Sequence, residues 1–101
     1  VQRGDLYVYV PVIPRPGISI IRLIVSSDAI NDADIPWVIG VHLIDDHDPM
    51  SLLAPRIGDH GWAVVTTIER VMRNRLGEQV GGATPEEMEQ IDIALRATLS
   101  L

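Results

Sequence analysis

Trp62-Ala63-Val64-Val65, then Leu76-Gly77-Glu78-Gln79-Val80-Gly81-Gly82, then Thr84-Pro85-Glu86-Glu87-Met88 follow one another in the last third of the chain, and their order decides the fold. The first run is apolar and short enough for a buried strand. Thr66 and Thr67 end it, and Thr67 suits the N-cap of a helical turn through Ile68, Val71 and Met72. In the second run Leu76, Glu78 and Val80 alternate as on a strand, and Gly81-Gly82 closes it. The third run opens a helix. Thr84 is the N-cap, Pro85 takes the first helical position, and Glu87 completes a capping box. Glu86, Glu87 and Glu89 complement the positive end of the helix dipole. Met88, Ile91, Leu95 and Leu99 recur at helical spacing and form one apolar stripe. Strand, turn, strand and helix are therefore expected over residues 62–99.

Upstream, Gln2-Arg3-Gly4-Asp5 is a turn and Asp5 to Val12 a strand, with Leu6, Val8 and Val10 on one face. Pro11, Pro14, Pro16 and Gly17 make a stiff loop with Arg15 at its tip. Arg15 is either a solvated loop residue or a phosphate contact from a loop closing over a ligand. Ile18 to Ser27 is the central strand, nearly continuously apolar except at Arg22. An arginine there is either paired with a carboxylate such as Asp45 or Glu69 or part of a site, because an unpaired buried charge is costly. Residues 27–35 form a loop or irregular helix that Pro36 ends. Trp37 to Ile44 is the next apolar strand, interrupted by His42. That histidine is either a hydrogen-bonded core residue or a proton-transfer group, since its unperturbed pKa lies near neutrality. Asp45, Asp46, His47 and Asp48 have the chemistry of metal ligands but not a coordination spacing, so an acidic turn is expected. Leu52 and Leu53 suggest a short strand, and Arg56 to Gly61 a hairpin-like turn.

A chain of 101 residues, 47% hydrophobic, is long enough for one modest core. Cysteine is absent, which excludes disulfides and thiolate metal sites. No apolar run reaches membrane-span length and nothing resembles a signal peptide, so the expected location is cytoplasmic. The net charge of −6 argues against a broad nucleic-acid surface but leaves room for a local basic cleft. Two tyrosines and two tryptophans would make only a thin base-stacking platform. Five or six short strands and one terminal helix point to a mostly β (α+β) domain: a small, strongly bent antiparallel sheet or open barrel with the helix packed on it.

Four further stretches carry a family resemblance. Arg3-Gly4-Asp5 resembles the opening of the MazF/PemK toxins. So does Leu23-Ile24-Val25-Ser26-Ser27-Asp28-Ala29-Ile30-Asn31. Thr67-Ile68-Glu69-Arg70, Arg75-Leu76-Gly77, Val80-Gly81 and Pro85-Glu86-Glu87-Met88 are similar to that family's closing half. Ile57-Gly58-Asp59 with Trp62, Thr66 and Thr67 resembles the CcdB toxins, which share the fold. The resemblance implies a small SH3-like antiparallel barrel of CcdB/PemK type, with strands over about 5–82 and a C-terminal helix over about 85–99, as one toxin domain over 1–101. It implies a homodimer, a cognate antitoxin, and sequence-specific cleavage of single-stranded mRNA without metal or other cofactor. The family's Arg-Pro step falls on Ile20-Ile21, with Arg22 two residues beyond Ile20 on the same strand face. The family threonine falls on His42, or on Ile44 in a slipped alignment. The expected catalytic residues are accordingly Arg22, as charge stabiliser, and His42, as acid or base. Arg15, Ser26 and Thr67 are the expected RNA contacts. The alternatives are a CcdB-like toxin that binds DNA gyrase and a catalytically inactive relative that only binds an antitoxin. The chain ends Leu99-Ser100-Leu101 and lacks the terminal Trp-Gly-Ile of the gyrase poisons.

Overall fold

A computed structural model describes residues 1–10, 13, 18–46 and 51–101. Among the described residues, the strand-like stretches of the sequence become five strands: β1 (Asp5–Tyr9), β2 (Ile18–Ile24), β3 (Trp37–Ile44), β4 (Trp62–Met72) and β5 (Leu76–Gly82). A single helical turn, α1 (Asp28–Asn31), joins β2 to β3, and α2 (Pro85–Leu99) closes the chain. The sheet is antiparallel with strand order β4-β3-β2-β1-β5. It stays open, because β4 and β5 lie at opposite edges and do not pair. The expected mostly β fold with a C-terminal helix is present, while the barrel is not closed.

The predicted capping box is formed. Thr84 Oγ1 accepts the Glu87 N–H, and the Glu87 carboxylate accepts the Thr84 N–H. The helix stripe then meets the sheet. Ile91 and Ala94 are fully buried against Leu6, Leu23, Val25, Val41, Leu43, Ala63 and Val65. Alternation leaves the other face with a smaller cluster of Tyr9, Ile24, Val38 and Val71, flanked by Tyr7 and Leu76. Arg3 ties the chain's start to both layers: its guanidinium donates to the Val25 carbonyl and pairs with Asp92 of α2. Gly4 adopts φ +95°, and its backbone links β2 to the α2 entry through Ile24 and Ala83.

Three local expectations change. Thr67 does not cap a helical turn; β4 runs through it to Met72. Threonine and valine are strand formers, and the pairing with β3 overrides the local capping option. Leu52 and Leu53 lie in a turn instead of a strand. β1 ends at Tyr9; Pro11 and Val12 lie outside the described residues. The turn before Trp62 is present, with the Ile57 N–H donating to the Gly61 carbonyl. Gly61 has φ +117°, and a Cβ there would sit 2.5 Å from the Ile44 carbonyl oxygen, so no other residue fits.

Candidate active site on the open face of the sheet

On β2, Ile21 and Leu23 turn toward α2, so Arg22 turns to the opposite face. Its cross-strand partners are Tyr7 on β1 and His42 on β3. Arg22 and His42 are thus directly opposed on neighbouring strands. Both are buried, at 3% and 8% exposure. A buried guanidinium needs a counter-charge, since its desolvation costs several kcal/mol. Glu69 on β4 supplies it: Glu69 Oε1 stands 3.2 Å from Arg22 Nε and 2.6 Å from His42 Nε2. The Arg22 guanidinium also donates to the Ile21 carbonyl and lies 5.4 Å from the centroid of the Tyr9 ring.

The placement of Glu69 depends on an irregularity in the β3–β4 ladder. Gly40 pairs with Glu69, whereas His42 pairs with Val64. β4 therefore carries extra residues between those two pairs, which is a bulge that re-aims side chains. Thr67 lies inside it. Its hydroxyl accepts the His42 backbone N–H at 2.9 Å and donates to the Val64 carbonyl at 2.6 Å. The ladder bond displaced by the bulge is thereby replaced by a side chain. Gly40 also matters here, because a Cβ would lie 3.0 Å from Val71 and 3.1 Å from the Leu23 carbonyl.

The expected site residues divide into three groups. Arg22 and His42 come together, with Thr67 beside them through the His42 backbone. Ser26 is placed elsewhere. Its buried hydroxyl bonds Asn31 and accepts the Ile39 N–H at 3.1 Å, fastening α1 to β3. The hydroxyl expected to contact RNA is thus engaged inside the protein. Arg15 lies outside the described residues, as do His47 and Asp48. Asp45 and Asp46 are exposed, and among the described residues no cluster of three or more His, Asp or Glu is arranged to hold a metal. Sequence reasoning named Glu69 only as a possible partner for Arg22. Its position over both polar strand interruptions depends on the bulge, which no local pattern announces.

Tyr7 and Tyr9 extend the same face. Burial and the neighbouring Asp5 carboxylate push the Tyr7 phenol above its usual range. Arg75 stacks on Tyr9 at 4.5 Å from the ring centroid and donates to the Tyr9 hydroxyl. The face thus combines a carboxylate at its surface, a buried guanidinium and imidazole behind it, and two tyrosine rings beside them. Such a group can transfer a proton and stabilise nearby negative charge.

Comparison with known proteins gives a consistent picture. The family described as PemK-like, MazF-like toxins of type II toxin–antitoxin systems matches residues 16–99. An endoribonuclease from a mycobacterial species is similar at 26% identity and TM-score 0.83, covering 100% of this chain and 92% of its own. An endoribonuclease solved with its cognate antitoxin, also mycobacterial, is similar at 26% identity and TM-score 0.86, covering 100% and 96%. The MazE–MazF complex of Deinococcus radiodurans shares the fold at 15% identity and TM-score 0.78, covering 100% and 97%. No curated protein sequence matches the chain. Among the described residues no helix is long and apolar enough to cross a membrane.

Proposed function

The chain belongs to the PemK-like, MazF-like toxins of type II toxin–antitoxin systems, and from that membership we propose that it is an endoribonuclease cutting single-stranded mRNA at the Arg22–His42–Glu69 face. The observation that carries the reading is the direct opposition of Arg22 and His42 with one carboxylate shared between them. The two mycobacterial endoribonucleases, each alike over the whole of this chain, support it. Cleavage without metal needs a group to move the 2′-hydroxyl proton and a cation to stabilise the phosphorane. His42 with the carboxylate it holds is the proton-transfer pair. Arg22 is the charge beneath it, and Thr67 holds the His42 backbone in place. The family's arginine falls on Ile20 and its threonine on His42, or on Ile44 in a slipped alignment, and these departures leave the chemistry to the three residues of this face.

The toxin works in the cytoplasm as a homodimer, covering apolar side chains such as Leu99 and Leu101 that this chain exposes. A cognate antitoxin silences it by laying a segment across the same face and competing with RNA. Because the toxin is net acidic, that segment binds through apolar anchors more than through a run of carboxylates.

Incubation with total mRNA in EDTA tests the reading. Discrete fragments are expected. RNA left intact by a folded toxin at micromolar concentration overturns the nuclease reading and leaves a relative that only binds its antitoxin.

A further inference from the structure

The two groups able to move a proton, His42 and Glu69, stand only 2.6 Å apart. Cleavage by a 2′-hydroxyl is an in-line displacement, with attacking and leaving oxygens on opposite sides of the phosphorus. Two groups in hydrogen-bond contact cannot stand on both sides, so only one of them serves the substrate directly. Exposure decides which. The Glu69 side chain is 37% exposed, against 10% for His42 and 4% for Arg22. Substrate approaching the face meets the carboxylate first. The imidazole Nε2 is already engaged with Glu69 Oε1, as is Arg22 Nε.

Resting on the nuclease reading, we propose that Glu69 is the catalytic base, and that His42 and Arg22 are positioning residues that fix its carboxylate. Oε1 is clamped between imidazole and guanidinium, which leaves Oε2 as the oxygen offered to substrate. In the step itself the 2′-hydroxyl proton passes to Glu69 Oε2. The bond from the 2′-oxygen to phosphorus forms while the bond from phosphorus to the 5′-oxygen breaks. The departing 5′-oxygen takes a proton from water, and the products are a 2′,3′-cyclic phosphate and a 5′-hydroxyl. Glu69 then releases its proton to solvent. The bulge in β4 is the device that makes this possible, because it turns a strand-edge carboxylate back over two buried partners.

Among the described residues, the charged or titratable groups contacting Glu69 are Arg22 from β2 and His42 from β3, with Tyr9 of β1 behind Arg22. The test is single-turnover cleavage of a single-stranded RNA in EDTA over a range of toxin concentrations, which separates the cleavage step from binding, with thermal melting of each variant. Glu69→Gln should lower the rate roughly 10²-fold or more while leaving KM unchanged. Glu69→Asp keeps the charge and the counter-ion of Arg22, so it should fold; it should cleave more slowly than the wild type, with KM unchanged. A 2′-deoxy nucleotide at the cut site should block the wild type. If a folded Glu69→Gln or Glu69→Asp cleaves at the wild-type rate, Glu69 is not the base although the nuclease reading stands. If the folded wild type cuts no RNA, the nuclease reading itself falls and the assignment of a base falls with it.

Discussion

The two faces of the sheet are built by opposite means. Toward α2, Leu6, Leu23, Val41, Leu43 and Ala63 are fully buried under Ile91 and carry no charge. Across the sheet, four buried residues form a smaller cluster, and beside it lie a guanidinium, an imidazole and a carboxylate. The first face is held by removal of apolar surface from water, a non-directional force that tolerates repacking. The second depends on distances between specific atoms and is lost with any one partner. Strand parity thus gives one sheet two unlike faces: the larger apolar core under α2, and a smaller apolar cluster beside the charged trio.

This division can be broken from either side. Ile91→Ala opens the helix–sheet core and should cost about 2–5 kcal/mol, while the fraction still folded cleaves RNA normally. Denaturant unfolding combined with cleavage per folded molecule checks both halves. His42→Ala should do the reverse, with cleavage falling roughly 10²-fold and a smaller loss of stability. Arg22→Lys belongs with it: lysine supplies the charge but not the planar fork that meets the carboxylate, so cleavage should fall by a smaller factor than for His42→Ala. A large drop in melting temperature with intact cleavage in either variant would show that the polar face serves the fold. Thr84→Ala removes the capping box and should cost about 1 kcal/mol without changing the cleavage rate. The smallest effect is expected at Arg3→Ala. Its ion pair with Asp92 is partly exposed, so the loss should be at most about 1 kcal/mol and shrink with added salt.

Local chemistry was readable in advance wherever neighbours in sequence are also neighbours in space. Thr84, Pro85 and Glu87 announce α2 because a capping box closes within four residues. The nearly continuous apolar runs of β2 and β3 announce buried strands, and the breaks at Arg22 and His42 stand out against them. Thr67 was misread for the same local reason. Its hydroxyl can cap a helix or satisfy a strand backbone, and only the strand opposite decides. Ser26 shows the converse. Its hydroxyl lies in a family-like motif that implies a substrate contact, and only the fold shows that Asn31 and Ile39 bond it.

By itself the sequence determined the strand-rich class, the terminal helix, its start and its core-facing stripe, and the two polar interruptions of the central strands. Hydrogen bonds and side-chain periodicity along one segment encode those features. The tertiary structure decided that the sheet stays open, that Arg22 stands opposite His42, and that Glu69 joins them. Those outcomes depend on register between strands, and a one-residue slip would have sent either side chain to the opposite face. The bulge that carries Glu69 back to the pair lies some two dozen residues downstream of His42, where no local signal specifies its partner.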